Sequence, residues 1–324
     1  MGVNRVVILG ASGFVGSAVL RAFAARPGQV RAVARRPVPV PAATVADVEV
    51  LTTDLTEPGA MAAAIDGADL VVHAVAYIAG ASTWRVGAGD TAAERINAGL
   101  AEDLAAAAPP GLRVVYTGST VQAGIPRAEV IDGSEPDEPA GEYGRHKLRA
   151  EGALLAGELT ATSVRLPTVF GYAPDSTAKD RGVVSSMIRR ALAGEPLTMW
   201  HDGTVRRDLV YIGDVAAAIC AAADHIDELA GRHWLLGTGV GAPLGEVFRT
   251  VADLAGAHTG VTVPVVSVPP PDYADPNDFR SVTVDASAFR AVTGWAPAVS
   301  RDEALRRTVD FVAAGREAQV MVPA

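Results

Sequence analysis

Short apolar runs punctuate the first half of the chain at residues 5–9 (Arg-Val-Val-Ile-Leu), 30–34, 48–52, 70–74, 113–117 and 162–166. They are rich in β-branched residues and lack the polar alternation of a half-exposed strand. Such runs read as strands buried on both faces. Alanine-rich stretches lie between them, from Ser17 to Ala25 and over 60–66, 92–108 and 146–157. Strand–helix alternation of this kind predicts a parallel sheet with helices on both faces. After Phe170-Gly171 the pattern changes. Residues 172–182 are polar and loop-like, a helix is predicted over 183–193, a strand over 204–212, a helix over 214–224 and a last helix from about Asp302. The expected division is 1–171 plus about 204–236 as one unit, and about 172–203 plus 237–324 as a smaller lobe.

Composition adds limits. A chain of 324 residues with 49% hydrophobic and 20% charged content suits a globular protein with a sizeable core. A net charge of −9 argues against nucleic acid as partner, because phosphate backbones need a basic face. The one cysteine, Cys220, excludes an intrachain disulfide and sits in an apolar Ala-Ile-Cys-Ala setting that predicts burial. No run approaches the roughly 20 apolar residues of a membrane span. The expectation is a cytoplasmic protein without a membrane partner. The histidines at 73, 201, 225, 233 and 258 show no metal-ligand spacing, and no metal is expected.

The turn after the first strand reads Gly10-Ala-Ser12-Gly13-Phe14-Val15-Gly16. Glycines let backbone N–H groups approach a pyrophosphate, and the following helix N-terminus adds partial positive charge. The strand–turn–helix context turns a weak glycine motif into a dinucleotide site. The fold class is therefore α/β, a Rossmann-type doubly wound parallel sheet with a smaller C-terminal α/β substrate-binding lobe. NAD enzymes place an acid after the second strand for the ribose 2′-OH. Here Ala34 is followed by Arg35-Arg36, which suit a 2′-phosphate, so NADP(H) is expected over NAD(H). The alternative is a pair of solvated surface charges. Asp54-Leu55 is placed for the adenine edge, and Ala74-Val75-Ala76 for the ribose and nicotinamide.

Tyr143-Gly-Arg-His-Lys147 puts a tyrosine and a lysine at i, i+4 on one helical face. A neighbouring ammonium and a positive nicotinamide would lower the phenol's pKa toward neutrality and make Tyr143 a general acid or base. Ser119, with Thr120 beside it, ends the fifth strand at the sheet's carboxyl edge, where it can hydrogen-bond a substrate carbonyl. Asn97 is a candidate relay through water to Lys147, against the alternative of a helix-surface amide. His146 lies on another helical face and reads as structural.

These residues resemble the extended short-chain dehydrogenase/reductases, in the nucleotide-sugar epimerase/dehydratase branch. The resemblance spans nearly the whole chain. It rests on Gly10–Gly16, Asp54-Leu55, Ser119, Tyr143–Lys147, residues 165–171 (Arg-Leu-Pro-Thr-Val-Phe-Gly), 207–214 (Arg-Asp-Leu-Val-Tyr-Ile-Gly-Asp) and 293–297 (Thr-Gly-Trp-Ala-Pro). It implies that Lys147 also holds the nicotinamide ribose, that Pro167 and Val169 line the cofactor, and that Val183 lines the substrate. It assigns Arg207 to the sugar-nucleotide phosphates, with Arg280 from a late loop as its helper; the alternative for Arg207 is an ion pair with Asp208 or Asp214. It implies a homodimer through the helices near 92–108 and 144–157.

Departures from the branch narrow the reaction. The 4,6-dehydratases carry an Asp-Glu pair after the Ser/Thr position, where this chain has Thr120-Val121. Reductases that also epimerise neighbouring carbons use an active-site cysteine, and Cys220 is elsewhere. The 4-epimerases usually carry the acidic ribose residue, and the loop tyrosine after the serine is replaced around Gln122-Ala123. What remains is a simple carbonyl reduction, and residues 182–187 and 197–208 resemble the 4-ketoreductases of dTDP-4-keto-6-deoxyhexoses, which implies NADPH-dependent reduction of the C4 keto group of such a sugar. A nucleotide-sugar 4-epimerase, a reductase of a non-sugar carbonyl and a non-catalytic NADP-sensing regulator are the alternatives.

Overall fold

The computed structural model describes residues 4–77, 86–125, 127–174, 176, 178–200, 202–272, 274 and 276–315; His201 lies outside them. Its strands are β1 (Arg5–Leu9), β2 (Gln29–Ala34), β3 (Asp47–Thr52), β4 (Leu70–His73), β5 (Arg113–Ser119), β6 (Val130–Ile131), β7 (Thr160–Leu166), β8 (Thr168–Phe170), β9 (Leu197–Met199), β10 (Arg206–Tyr211), β11 (His233–Leu235), β12 (Gly241–Pro243), β13 (Val265–Ser267) and β14 (Thr283–Val284). Its helices are α1 (Phe14–Ala24), α2 (Ala60–Ile65), α3 (Thr91–Glu94), α4 (Leu100–Ala107), α5 (Glu142–Leu155), α6 (Val183–Leu192), α7 (Ile212–Asp224), α8 (Ile226–Leu229), α9 (Leu244–Thr259), α10 (Ser287–Thr293) and α11 (Arg301–Ala313).

Seven strands form one parallel sheet in the order β11-β7-β5-β4-β1-β2-β3. Strand β1 shows why the apolar runs are unbroken. Val6 and Ile8 face a core shared with Val19, Leu20 and Phe23 of α1 and Val215 and Ile219 of α7. Val7 and Leu9 face the opposite core, with Met61 of α2, Leu100 and Leu104 of α4, and Leu154 of α5. Alternate residues point to opposite faces, and both faces are covered. Strand order reverses between β1 and β4, which opens a crevice at their carboxyl ends.

A third core gathers Val184 and Ile188 of α6, Phe248 and Val251 of α9, and Leu305 and Val309 of α11. Beside it lies a small sheet of order β12-β10-β8. Leu209 of β10 packs into this smaller core, whereas Phe289 of α10 and Trp295 join the core under α7. The Trp295 indole donates to the Asp214 carbonyl at 3.0 Å, and the Asp214 carboxylate accepts from the Ala298 and Val299 amides. The last third of the chain thus contributes Phe289 and Trp295 to the core under α7 as well as Leu305 and Val309 to the smaller core.

Two expectations change. The single helix over 92–108 is α3 and α4 joined by a π-helical turn, Arg95–Gly99. That wider turn carries Asn97 inward, where its Oδ1 accepts from the Tyr77 amide at 2.7 Å. Cys220 is half-buried rather than enclosed; burial, with the Arg26 guanidinium acting against it, pushes its thiol up to about 11. Among the described residues no helix is long and apolar enough to cross a membrane.

Candidate active site

The glycine turn is built by close approach. Gly10 has φ +85°, and the Gly10 and Ala11 amides both donate to the Val33 carbonyl, at 2.9 and 3.0 Å. The Gly13 amide donates to the Gly10 carbonyl at 2.8 Å. A Cβ on Gly16 would stand 2.1 Å from that same carbonyl oxygen, so only glycine fits. Gly13 caps α1 without a side chain, which leaves the amides of the first helical turn facing outward. This cradle fits a pyrophosphate. Ser12, Phe14 and Val15 border it, half-buried.

Around the cradle the other predicted cofactor residues sit at strand ends. Arg35 and Arg36 follow β2 and are exposed. The Asp54 carboxylate accepts from the Thr56 amide and hydroxyl at 2.9 and 2.7 Å; those bonds, with Arg35 and Arg95 nearby, hold it below the usual carboxylate range. Leu55 is buried in the core beneath. Ala74-Val75-Ala76 leave the end of β4, and a Cβ on Gly10 would lie 3.0 Å from Ala74 and Val75 backbone atoms. Pro167 and Val169 occupy the junction of β7 and β8, Val169 buried and Pro167 half-buried.

The catalytic candidates meet where β5 ends against α5. Ser119 ends β5 and caps the 3-10 turn Thr120–Ala123, its hydroxyl accepting from the Val121 amide at 3.5 Å. The Gln122 side chain turns fully inward and accepts from the Ser119 amide at 2.7 Å, completing a capping box. A Cβ on Gly144 would lie 3.0 Å from the Val121 carbonyl, so this turn is pressed against the helical turn that carries Tyr143. Lys147 is buried; its ammonium donates to the Thr117 carbonyl at 2.9 Å and lies 5.9 Å from the Tyr143 ring centroid.

The tyrosine tuning expected from the sequence needs the lysine's charge and a positive nicotinamide together; in the protein alone burial acts against the first. Burial pushes the Tyr143 phenol above its ordinary range. The Lys147 ammonium is directed at Thr117 and is itself lowered to about 8 by burial, with the Glu151 charge acting against that. Desolvation of the phenolate thus outweighs the lysine's charge in the protein alone.

Asn97 is fully buried, which removes the helix-surface alternative, and its Nδ2 has no hydrogen-bond partner among the described residues. His146 is buried beside Glu142, 3.8 Å away. Arg207 pairs with neither Asp208 nor Asp214. Its guanidinium donates to the Asp278 carbonyl at 3.1 Å and to the Arg206 and Arg280 carbonyls, and so ties down the loop carrying exposed Arg280. Asp208 instead accepts from Thr238, Gly239 and Val284. Val183 opens α6 and is 38% exposed.

Sequence reasoning passed over three groups at this site. Arg165 is gripped by Glu151 and Asp137 under α5. Asp180 is buried and accepts from the amides of Gly171 and Gly182 and from the Ser185 hydroxyl, bracing the loop before α6. His73 and Tyr116 lie behind Lys147. Only Glu151 carried a readable signal, its i, i+4 spacing from Lys147.

A family model described as the NAD dependent epimerase/dehydratase family matches residues 6–237. The chain belongs to this family. An epimerase/dehydratase relative named dTDP-6-deoxy-L-talose 4-dehydrogenase (NAD(P)(+)), from Kitasatospora kifunensis, is 28% identical over 314 residues, 93% of each chain. A UDP-glucose 4-epimerase from Mycolicibacterium smegmatis is 28% identical over 206 residues, 61% of this chain; the match spans 62% of that relative's length. A solved structure, MoeE5 in complex with UDP-glucose and NAD, superposes with a TM-score of 0.78 at 25% identity, covering 96% of this chain and 99% of that one. A nicotinamide dinucleotide is accordingly the cofactor of the family to which this site belongs.

Proposed function

We propose that the protein reduces the C4 keto group of a dTDP-linked 4-keto-6-deoxyhexose with NADPH. The observation that carries this reading is the end of β2, where two exposed arginines stand in place of a ribose-binding acid. They favour NADP(H), and a 2′-phosphorylated cofactor suits net reduction better than a cycle that returns its hydride. The bound nicotinamide supplies the hydride. Among the described residues the Ser119 hydroxyl accepts, from the Val121 amide and within its capping box, and donates to no described partner, so its proton can hydrogen-bond the C4 oxygen, with Thr120 beside it. Tyr143, held in its protonated form by burial, donates the proton to that oxygen. Lys147 supports the phenol and the nicotinamide ribose, and Asn97 links it through water to solvent. Arg207 and Arg280 hold the pyrophosphate, and Val183 lines the sugar pocket.

The test is NADPH oxidation with dTDP-4-keto-6-deoxyglucose made in situ, with NADH run beside it. Consumption with NADPH preferred supports the reading; tight NADPH binding without consumption refutes the substrate. A second reading, a nucleotide-sugar 4-epimerase, is favoured by the UDP-glucose 4-epimerase relative. It predicts conversion at C4 without net NADPH loss. The protein is expected to act in the cytoplasm as a homodimer.

A further inference from the structure

Two aromatic side chains behind Lys147 have no part in the proposed reaction. Tyr116, in the middle of β5, is 1% exposed, and its hydroxyl has no partner among the described residues. His73, at the end of β4, is fully buried, and neither ring nitrogen has a hydrogen-bond partner among the described residues. The two rings meet edge to face, centroids 5.5 Å apart and planes at 73°. The Lys147 ammonium lies 4.8 Å from the Tyr116 ring centroid.

The surroundings of Lys147 make this contact consequential. The titratable groups that meet Lys147 are Tyr143 and Glu151 on α5, Tyr116 on β5 and His73 on β4, while Arg165 on β7 and His233 on β11 meet it through Glu151. Burial first, then the lysine's own charge, pushes His73 down to about 3, so it is neutral. Burial pushes Tyr116 well up, so it is neutral too. Glu151 is shared with the Arg165 guanidinium. On the outer side, Glu94 and Glu102 pair with Arg149, and Arg95 with Asp103. Lys147 therefore has one neighbouring carboxylate, already engaged by an arginine. Its other contacts are the Thr117 carbonyl, the face of Tyr116 at 4.8 Å and, farther off, the Tyr143 ring at 5.9 Å. A cation over an aromatic face is most strongly held when desolvated.

We infer that Tyr116 is a positioning residue for Lys147: its ring, steadied by His73, holds the buried ammonium in its charged form under the Tyr143 phenol. The inference rests on the role proposed for Lys147 and deepens it. The ring carries the effect and the hydroxyl is dispensable to it.

The chain has only two lysines, Lys147 and Lys179, so the ammonium can be read directly. The full chain, labelled with 13C at lysine ε, is titrated by NMR, and Lys179→Arg assigns the two signals. Lys147 is expected to titrate at about 8. Tyr116→Phe should leave that midpoint unchanged. Tyr116→Leu should lower it by about one pH unit, a tenfold change in acidity. Should the leucine variant fail to fold, phenylalanines of increasing ring fluorination at this position keep the shape and drain the π face; the midpoint should fall stepwise. A midpoint indifferent to fluorination or to leucine overturns the inference, as does an equal shift with Phe and Leu. None of these readings uses turnover, so they stand apart from failure of the proposed reaction, which Tyr143→Phe with full activity would reveal.

Discussion

Replacing Glu151 with leucine should cost far more than one side chain's packing. Arg165 is 1% exposed and its guanidinium makes four hydrogen bonds to two carboxylates. Two go to Glu151, at 3.1 and 2.5 Å, and two to Asp137, at 2.6 and 3.0 Å. The Glu151 side chain is 4% exposed, whereas Asp137 is 33% exposed and partly hydrated. Glu151→Leu keeps the volume, removes the drier partner and leaves a buried guanidinium half satisfied. Breaking a buried pair from one side costs about 3–5 kcal/mol, and the remaining Asp137 pair places this variant near 3. Removing both charges in Glu151→Leu/Arg165→Met should recover much of the loss, ending within about 1–2 kcal/mol of the parent, because the desolvation cost disappears with the charges. Urea unfolding followed by tryptophan fluorescence measures this, read as midpoints at constant slope. A Glu151→Leu loss under about 1 kcal/mol, or a double variant as unstable as the single, would refute the reasoning.

Tyr143→Phe should lower kcat by about 10²- to 10⁴-fold with little change in cofactor dissociation constant, measured by steady-state kinetics and NADPH fluorescence. Replacing both Arg35 and Arg36 with alanine should weaken NADPH binding about 10- to 100-fold and leave NADH binding nearly unchanged, since the lost charge-assisted bonds serve only a 2′-phosphate. Burial lowers Lys147 from the ordinary lysine value to about 8, so kcat/KM should fall with an alkaline limb near that pH; a profile flat well beyond it contradicts the assignment. The same shift has a stability sign. Between about pH 8 and the ordinary value the unfolded chain holds the extra proton, so Lys147 favours folding increasingly as pH rises through that window.

The elements that read clearly in the sequence were those with one dominant local signal. The continuous apolar runs of β1 and β4 could only be strands buried on both faces, and Gly16 could only mark close backbone approach. Tyr143 and Lys147 share a helical face by spacing alone. What escaped was set by distant partners. The π-helical turn at Arg95–Gly99 exists because Asn97 reaches the Tyr77 amide, twenty residues away. Arg207 has a motif position that implies phosphate, and its further hold on the carbonyls of a loop over seventy residues later could not be read there. Tyr116 read as one more apolar strand residue, and only the meeting of β4, β5 and α5 places its ring beneath an ammonium. The desolvation of the Tyr143 phenol escaped for a related reason: charge spacing is visible in a sequence, and burial is not.

The most direct test of the central claim follows the hydride. The protein is given NADPH deuterated at the transferable nicotinamide position, with dTDP-4-keto-6-deoxyglucose in one arm and UDP-glucose in the other, and the sugars are analysed by mass spectrometry and NMR. The account predicts one deuterium at C4 of the reduced dTDP-sugar for each NADPH consumed, and no change in UDP-glucose. Inversion of UDP-glucose at C4 with no net NADPH loss, or NADPH bound tightly with no deuterium transferred to the keto sugar, would contradict it.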